Sequence, residues 1–171
     1  MNPEKGTRDK IGKLRSIWLA PRAGELVGCV EEVKAVEERG LEGDRYYQGT
    51  GSFSRWDTPK RQVSLIAFEQ VEKIGELLGK QVDEGSLRRN LVTEGIPIEQ
   101  WAGATFSIGE VLLKGLQPCA PCRYLERILA LPSLMAHMKG RGGLRAQILK
   151  GGYIRVDDPI VLHTPPTKKL P

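Results

Sequence analysis

Two cysteines lie three positions apart just before a predicted helix. Cys119 and Cys122 fall in the run Gln-Pro-Cys-Ala-Pro-Cys-Arg, and helix-forming residues follow the second thiol. The free N–H groups and the positive dipole end of a helix N-terminus favour an anion, and Arg123 adds a nearby cation. The thiolate is the form of cysteine that attacks electrophiles and binds soft metals. Cys122, which is nearer the helix than Cys119, is therefore the first candidate for chemistry.

Four interpretations of this Cys-x-x-Cys pair can be compared. A thioredoxin-type redox pair belongs in a βαβ unit, whereas this pair follows a predicted hairpin. A structural zinc site needs four ligands, and the chain otherwise offers only Cys29, His137 and His163, with the histidines 26 positions apart. The two cysteines could also simply pack, since free cysteine is often buried. A reactive or metal-ligating thiol is the favoured interpretation, and simple packing stays open.

A segment rich in glycine and arginine, residues 140–145, is the second candidate. Its sequence is Gly-Arg-Gly-Gly-Leu-Arg. Glycines let backbone N–H groups approach an anion closely, and Arg141 and Arg145 can clamp a phosphate. A plain turn after a helix is the alternative. Gly43-Asp44-Arg45 and Arg88-Arg89-Asn90 are weaker signals, because an arginine beside a polar partner fits a surface ion pair equally well.

Length, charge and composition restrict the class of function. The 171 residues fit one domain, and 40% hydrophobic residues are enough for a core. Of the net charge of +5, residues 1–15 contribute +3, and Lys168 and Lys169 contribute the rest. Because the middle of the chain is formally neutral, we expect no nucleic-acid binding. No apolar run approaches a membrane span, the N-terminal residues lack a signal region, and three cysteines fit a reducing cytoplasm.

Hydrophobic periodicity predicts many short strands with two or three inserted helices. The helical spacing of apolar residues over 68–78 predicts a helix that ends at Gly79. Two shorter helical pieces are predicted on either side of Pro132, and the second ends at Gly140. Strands are predicted at residues 13–19, 26–36, 63–67, 105–108, 111–113, 145–150, 153–156 and 160–162, with another near residue 91.

Turn residues predict how some of these strands connect. Gly109-Glu110 predicts a hairpin between 105–108 and 111–113, and Gly151-Gly152 predicts one between 145–150 and 153–156. The pattern as a whole predicts a mainly β fold with inserted helices, arranged as a closed or partly closed β-barrel. We expect residues 1–12 to be a flexible leader, residues 13–163 to form the domain, and residues 164–171 to be a flexible tail.

Five segments, taken in order, resemble the MOSC domain, a family named for the C-terminal domain of molybdenum cofactor sulfurases. They lie within residues 13–163, so the resemblance covers nearly the whole chain. It implies a β-barrel-rich fold and a pocket for the molybdenum cofactor, a pterin that carries a dithiolene and a phosphate group. The segments are Gly43-Asp44-Arg45, Arg89-Asn90-Leu91-Val92-Thr93-Glu94-Gly95-Ile96, Pro118-Cys119-Ala120-Pro121-Cys122, Gly140-Arg141-Gly142-Gly143-Leu144-Arg145 and Gly151-Gly152.

The resemblance also implies roles for individual residues. Cys122 matches the reactive cysteine of the family, which ligates molybdenum in members that reduce N-hydroxylated compounds or carries sulfur as a persulfide. A soft thiolate is suited to either task, and arginine is suited to an anionic cofactor. The residues carried over as cofactor-binding are Asp44, Arg45, Arg89, Asn90, Cys119, Arg141, Gly142, Gly143 and Arg145.

Two departures from the family shape the expected function. Tyr46 stands where many members have histidine, and the chain has no pyridoxal-phosphate domain that would generate sulfane sulfur. Sulfur or cofactor would then come from a cysteine desulfurase or from molybdenum cofactor biosynthesis proteins, and a redox partner is compatible with the resemblance. The alternative function is a metal-free sulfur-relay module that delivers sulfane sulfur to metal–sulfur clusters or cofactors. A scaffold domain without cofactor is a third possibility, so whether the chain is a reductase, a sulfur transferase or no enzyme stays open.

Overall fold

The computed structural model describes residues 12–49, 59–120 and 122–167, and these residues form eleven β-strands and three α-helices. The strands are β1 Gly12–Leu19, β2 Gly28–Val30, β3 Glu32–Val36, β4 Gly40–Leu41, β5 Val63–Ala67, β6 Leu91–Glu94, β7 Thr105–Ile108, β8 Val111–Pro118, β9 Leu144–Lys150, β10 Gly152–Arg155 and β11 Pro159–Thr164. The helices are α1 Phe68–Leu78, α2 Arg123–Ile128 and α3 Leu134–Met138, and short 3-10 helices lie at Pro59–Arg61 and Ile98–Gln100.

Seven of the strands form a closed barrel, as the sequence predicts. Their order is β11-β7-β8-β9-β5-β6-β1, and pairing of β1 with β11 closes the ring. The β5–β6 pair is parallel, and α1 makes the crossover that a parallel pair requires. β2 extends the sheet beside β1, while β10, β3 and β4 form a separate three-stranded sheet.

Strand β5 shows how the wall of the barrel separates two apolar cores. Val63 and Leu65 belong to the core inside the barrel, whereas Ile66 belongs to a second core between the wall and the helices. A strand covered on both faces needs apolar residues at nearly every position. Ser64 is the polar exception, and it lies on the outer face because successive side chains alternate between faces.

Helix α1 covers the outer core within the predicted limits. Val71 and Ile74 are buried against the wall of the barrel. Gly79 follows the last turn with a φ of 65°, and its N–H donates to the carbonyl oxygens of Gly75 and Glu76. The left-handed conformation is the usual reason for glycine at this position, so the predicted end of the helix is confirmed.

The hairpin predicted at Gly151-Gly152 is wrong. β9 pairs with β5 and β8 in the barrel, whereas β10 pairs with β3 in the smaller sheet. A Cβ atom at Gly151 would lie 2.7 Å from the carbonyl oxygen of Ala35, so glycine allows a close approach to β3 at this position. The run predicted as strands at residues 26–36 likewise divides between the two sheets, as β2 and β3.

The ends of the described barrel lie close to the predicted domain limits. β1 begins at Gly12 and β11 ends at Thr164, one residue outside those limits on each side. The rest of the predicted leader and residues 168–171 of the predicted tail lie outside the described residues. Within the described ranges, no helix has both the length and the apolar character needed to cross a membrane.

Candidate functional site

A small cavity of about 230 Å³ lies against the outer face of the barrel wall. Helix α2 and the loops that follow β4 and precede β6 supply its other sides. The predicted residues Arg45, Arg89, Cys122 and Arg145 all line it, so the fold brings together side chains that are up to 100 positions apart in the sequence. The remaining lining residues are Gly24, Tyr46, Ser64, Leu87, Arg88, Gln117, Ala120, Tyr124 and Leu125. We call this the cysteine cavity.

The floor of the cysteine cavity is fixed by the register of three strands. Arg145 of β9 lies opposite Ser64 of β5 on one side and opposite Gln117 of β8 on the other. Residues that face one another in an antiparallel pair project from the same side of the sheet. The floor therefore presents a guanidinium between a hydroxyl and an amide, and the Arg145 Nη1 also donates to the Lys60 carbonyl oxygen at 3.4 Å.

Two consecutive arginines reach the same cavity because the backbone turns between them. Arg88 has a φ of 58°, a left-handed conformation that is rare for residues other than glycine. The buried Arg89 donates from Nε to the Gly142 carbonyl oxygen at 2.7 Å, and Arg88 donates from Nη1 to the Glu25 carbonyl oxygen at 2.6 Å. The pKa of the Arg88 guanidinium is lowered, mainly by burial and to a smaller extent by the positive charge of Arg45. The cavity therefore concentrates positive charge.

Asp44 holds Arg45 at the edge of the cysteine cavity. Its carboxylate is 1% exposed and accepts hydrogen bonds from the Ala20 N–H at 3.1 Å, the Arg45 Nη1 at 3.3 Å and the Tyr46 N–H at 3.3 Å. The Arg45 guanidinium also lies 4.6 Å from the centre of the Tyr46 ring. Asp44 itself does not line the cavity, so its geometry is that of a positioning residue.

The two cysteines have different surroundings. Cys122 precedes α2 in an extended conformation, is partly buried, and lines the cavity beside Ala120 and Tyr124. Cys119 is 4% exposed and does not line the cavity, and its backbone N–H donates to the Gly143 carbonyl oxygen at 2.9 Å. The predicted preference for Cys122 as the thiol that can meet a ligand agrees with this geometry.

The glycine-rich segment has a packing role in this structure. A Cβ at Gly143 would lie 2.0 Å from the Leu65 carbonyl oxygen, and one at Gly142 would lie 2.7 Å from that of Cys119. The glycines therefore let this segment pass close to β5 and to the cysteine loop. Neither glycine lines the cavity, although the Gly142 carbonyl holds Arg89. Arg141 also lies off the lining and donates to the His137 carbonyl oxygen at 3.4 Å.

Asn90 lies beneath the cavity and connects three segments of the wall. Its Oδ1 accepts hydrogen bonds from the N–H and the hydroxyl of Ser64, both at 3.2 Å, and its Nδ2 donates to the Trp18 carbonyl oxygen at 3.1 Å. Its backbone N–H donates to the Ser64 hydroxyl at 3.1 Å. Asn90 thus fixes the positions of Ser64 and of the neighbouring Arg89, and it does not itself line the cavity.

The donor set of the cavity suits an anionic ligand. None of Arg88, Arg89 and Arg145 forms an ion pair with a carboxylate among the described residues, so their remaining N–H groups are available to an anion. No group of three or more His, Cys, Asp and Glu side chains in those residues could hold a metal ion by itself. The cavity therefore offers several guanidinium donors to an anion, with one thiol beside them.

Comparison with known families identifies the domain. A family model described as MOSC domain matches residues 52–161, which is more than half of the chain. The chain belongs to the MOSC domain family. No curated protein sequence matches it.

Solved structures share the fold of this MOSC domain at low sequence identity. The YuaD protein from Bacillus subtilis superposes with a TM-score of 0.76 and 16% identity, over 90% of this chain and 96% of that one. YiiM from Geobacillus stearothermophilus gives 0.70 and 18%, over 89% and 75% of the two chains. YiiM from Escherichia coli gives 0.68 and 21%, over 91% and 72%. At these identities the likeness concerns the fold alone.

The cysteine cavity of this MOSC domain also contains three polar residues that its sequence motifs do not indicate as ligand contacts, namely Arg88, Ser64 and Gln117. Arg88 belonged to a recognised motif, but nothing in the sequence indicated the left-handed turn that brings it to the cavity. Ser64 and Gln117 lie in strands, and only the register of those strands places them beside Arg145. Alternation along β5 could have identified Ser64, because it is the one polar residue in an apolar strand.

Proposed function

We propose that this MOSC domain binds the molybdenum cofactor in the cysteine cavity, with Cys122 as a ligand of molybdenum or as a carrier of sulfur. The observation that carries the proposal is the composition of the lining: four arginines, one cysteine and no carboxylate among the described residues. Arg45, Arg88, Arg89 and Arg145 would hold the phosphate and the pterin, because guanidinium groups bind planar and tetrahedral anions through paired N–H donors. Bound there, the cofactor would supply a redox-active metal.

The residues around the anion would act by position and charge. Arg89 is fixed by its bond to the Gly142 carbonyl, and Arg45 by its pairing with Asp44, so both guanidiniums meet a ligand without first losing side-chain freedom. Gln117 offers a neutral amide that suits the polar edges of a pterin, whereas the Ser64 hydroxyl is engaged with Asn90. Tyr124 and Leu125 line the side next to Cys122.

Metal and pterin content test this proposal. Protein purified from a host that makes the cofactor should contain molybdenum and pterin, and Cys122→Ser should lose molybdenum while Cys119→Ser retains it. Arg89→Met should weaken cofactor retention roughly ten- to hundred-fold, the size expected for a charge-assisted hydrogen bond. Arg141→Met is the matched control and should retain the cofactor, because Arg141 does not line the cavity. Full molybdenum content in Cys122→Ser would exclude metal ligation.

Sulfur relay is the second candidate, and the unequal exposure of the two cysteines favours it. A carrier thiol must be reachable, and a second reachable thiol would discharge it by forming a disulfide; Cys119 is buried and Cys122 is not. The Cys122 thiolate would attack the outer sulfur of a desulfurase persulfide. The donor S–S bond breaks, a new S–S bond forms at Cys122, and the donor leaves as a thiolate.

Mass spectrometry separates the two candidates. After incubation with a cysteine desulfurase and cysteine, the relay function requires one added sulfur on Cys122 and none on Cys119. Metal-free protein that accepts this sulfur would support relay, and protein that retains molybdenum but accepts no sulfur would support the cofactor function alone.

A further inference from the structure

A second, larger cavity adjoins the cysteine cavity. Its volume is about 1050 Å³, and it lies between β1, the segment that precedes β6, and the end of α2. Gly24 and Arg88 line both cavities, so the two share a wall at these residues. We call it the outer cavity. Its size exceeds that of the cysteine cavity several-fold, which is enough for the body of an organic molecule.

The outer cavity has a fixed apolar wall. Trp18 is half-buried and lines it with Val82 and Leu129. The Trp18 indole N–H donates to the Ser16 hydroxyl at 2.8 Å, and a Cβ at Gly85 would lie only 2.5 Å from the indole ring. Packing and hydrogen bonding therefore hold the indole in one orientation, as a preformed surface for apolar or aromatic groups.

The two cavities have opposite charge. Five carboxylates line the outer cavity with three cationic side chains, one of which is the shared Arg88. Glu84 and Glu94 form ion pairs with Arg15, but no ion pair is found for Glu25 or Asp83 within the described ranges. The cysteine cavity has four arginines and no carboxylate among its described lining residues. A cation is thus favoured in the outer cavity and repelled at its boundary with the cysteine cavity.

We infer that the outer cavity binds an organic amine with an apolar or aromatic body, whose ammonium group faces Glu25 and Asp83. Trp18 and Leu129 contact the body, and the positive charge of Arg88 disfavours entry of the ammonium group into the cysteine cavity. An amine of this kind would be a substrate class for the proposed function, and that assignment rests on it, whereas the binding of the amine can be measured independently.

Each cavity contains one cysteine that can report whether it is occupied. Cys29 is exposed and lines the outer cavity, and Cys122 lines the cysteine cavity. The experiment measures the alkylation rate of both thiols in the full chain by peptide mass spectrometry. The probes are 2-phenylethylamine, 2-phenylethanol and 3-phenylpropionate, which share a phenyl body and differ in charge, and inorganic phosphate for the cysteine cavity.

The amine should slow alkylation of Cys29 in a saturable way, the alcohol less so, and the carboxylate not at all. Glu25→Gln and Asp83→Asn should each raise the half-protecting amine concentration roughly two- to five-fold, the size of one partly exposed charge interaction. Glu72→Gln removes the same charge from an exposed position outside the cavity and should change nothing. High salt should weaken protection, because it screens exposed charges.

Equal protection by all three phenyl compounds, or an amine effect that survives both substitutions, would overturn the inference. The phosphate experiment distinguishes failure of this inference from failure of the proposed function. Protection of Cys29 by the amine without protection of Cys122 by phosphate would support the amine site and count against the anion site. Protection of Cys122 by phosphate without protection of Cys29 by the amine would overturn the amine site and would not affect the cofactor proposal.

Discussion

Replacement of Gly143 by alanine should lower the free energy of unfolding of this domain far more than the same replacement at Gly140. Both glycines have a positive φ, 101° at Gly143 and 75° at Gly140, so alanine is strained at either position. This strain costs about 1–2 kcal/mol for an L-residue. The surroundings differ, because a Cβ at Gly140 meets nothing within 4 Å, whereas one at Gly143 lies 2.0 Å from the Leu65 carbonyl oxygen.

The additional cost at Gly143 is one of overpacking against a central strand. A carbon at 2.0 Å from the oxygen of Leu65 must move by more than 1 Å to reach ordinary contact, and neither this backbone oxygen nor a Cβ atom can move without its own backbone. Overpacking of this kind adds about 1–3 kcal/mol. The total of about 2–5 kcal/mol is a large part of the 5–15 kcal/mol that stabilises a typical domain. Arg89 should lose its position as well, since its acceptor is the Gly142 carbonyl.

Urea unfolding, monitored by circular dichroism, measures the difference in stability between the two variants. With a slope of about 1–3 kcal/mol per molar urea, Gly143→Ala should lower the midpoint by about 1–2 M, and Gly140→Ala by less than half as much. Equal losses for the two variants would refute the packing role. A stable Gly143→Ala that has lost anion binding would show instead that the glycine serves a bound anion.

Three further predictions concern buried polar groups. Burial raises the pKa of Glu99, despite a hydrogen bond from the Ala67 N–H at 2.8 Å, so the folded state binds more protons and its stability falls as the pH rises through that pKa. Glu99→Gln should remove this loss of stability, so the thermal midpoints of the variant and the wild type should diverge from about pH 4 upward. A wild-type midpoint that rises relative to that of the variant as the pH increases would contradict this prediction. Asp44→Ala should cost about 3–5 kcal/mol in urea unfolding, because the buried Arg45 loses its carboxylate, and Asp44→Asn should cost less. Asn90→Ala should cost about 2–4 kcal/mol by the same measurement, since buried donors and acceptors lose their partners; losses below 1 kcal/mol would mean that water replaces the amide.

Local signals predicted local structure in this protein. The α1 limits and the β7–β8 hairpin followed from periodicity and from turn residues that act within a few positions. The Gly151-Gly152 signal failed because two glycines can serve a turn or a close approach between strands. Only the folded chain shows that a neighbouring strand occupies the space beside Gly151.

The candidate site could be predicted only in part for a similar reason. Arginines at 45, 89 and 145 belonged to motifs and do line the cysteine cavity, whereas Arg141 belonged to a motif and does not. Asn90 also belonged to a motif, and its amide forms hydrogen bonds with Ser64 and Trp18 beneath the cavity. Sequence indicates which residue types are present. Whether a side chain faces a ligand or another strand depends on backbone geometry.

The strand register beneath the cavity couples the ligand site to the integrity of the barrel. Arg145 faces outward, while its neighbours Leu144 and Ala146 belong to the core inside the barrel. A single inserted residue at the start of β9 would exchange these faces, so that the Arg145 guanidinium would enter the apolar interior and the Leu144 side chain would replace it under the ligand. Natural variation in length should therefore be found in the loops around this strand and be absent from the strand itself.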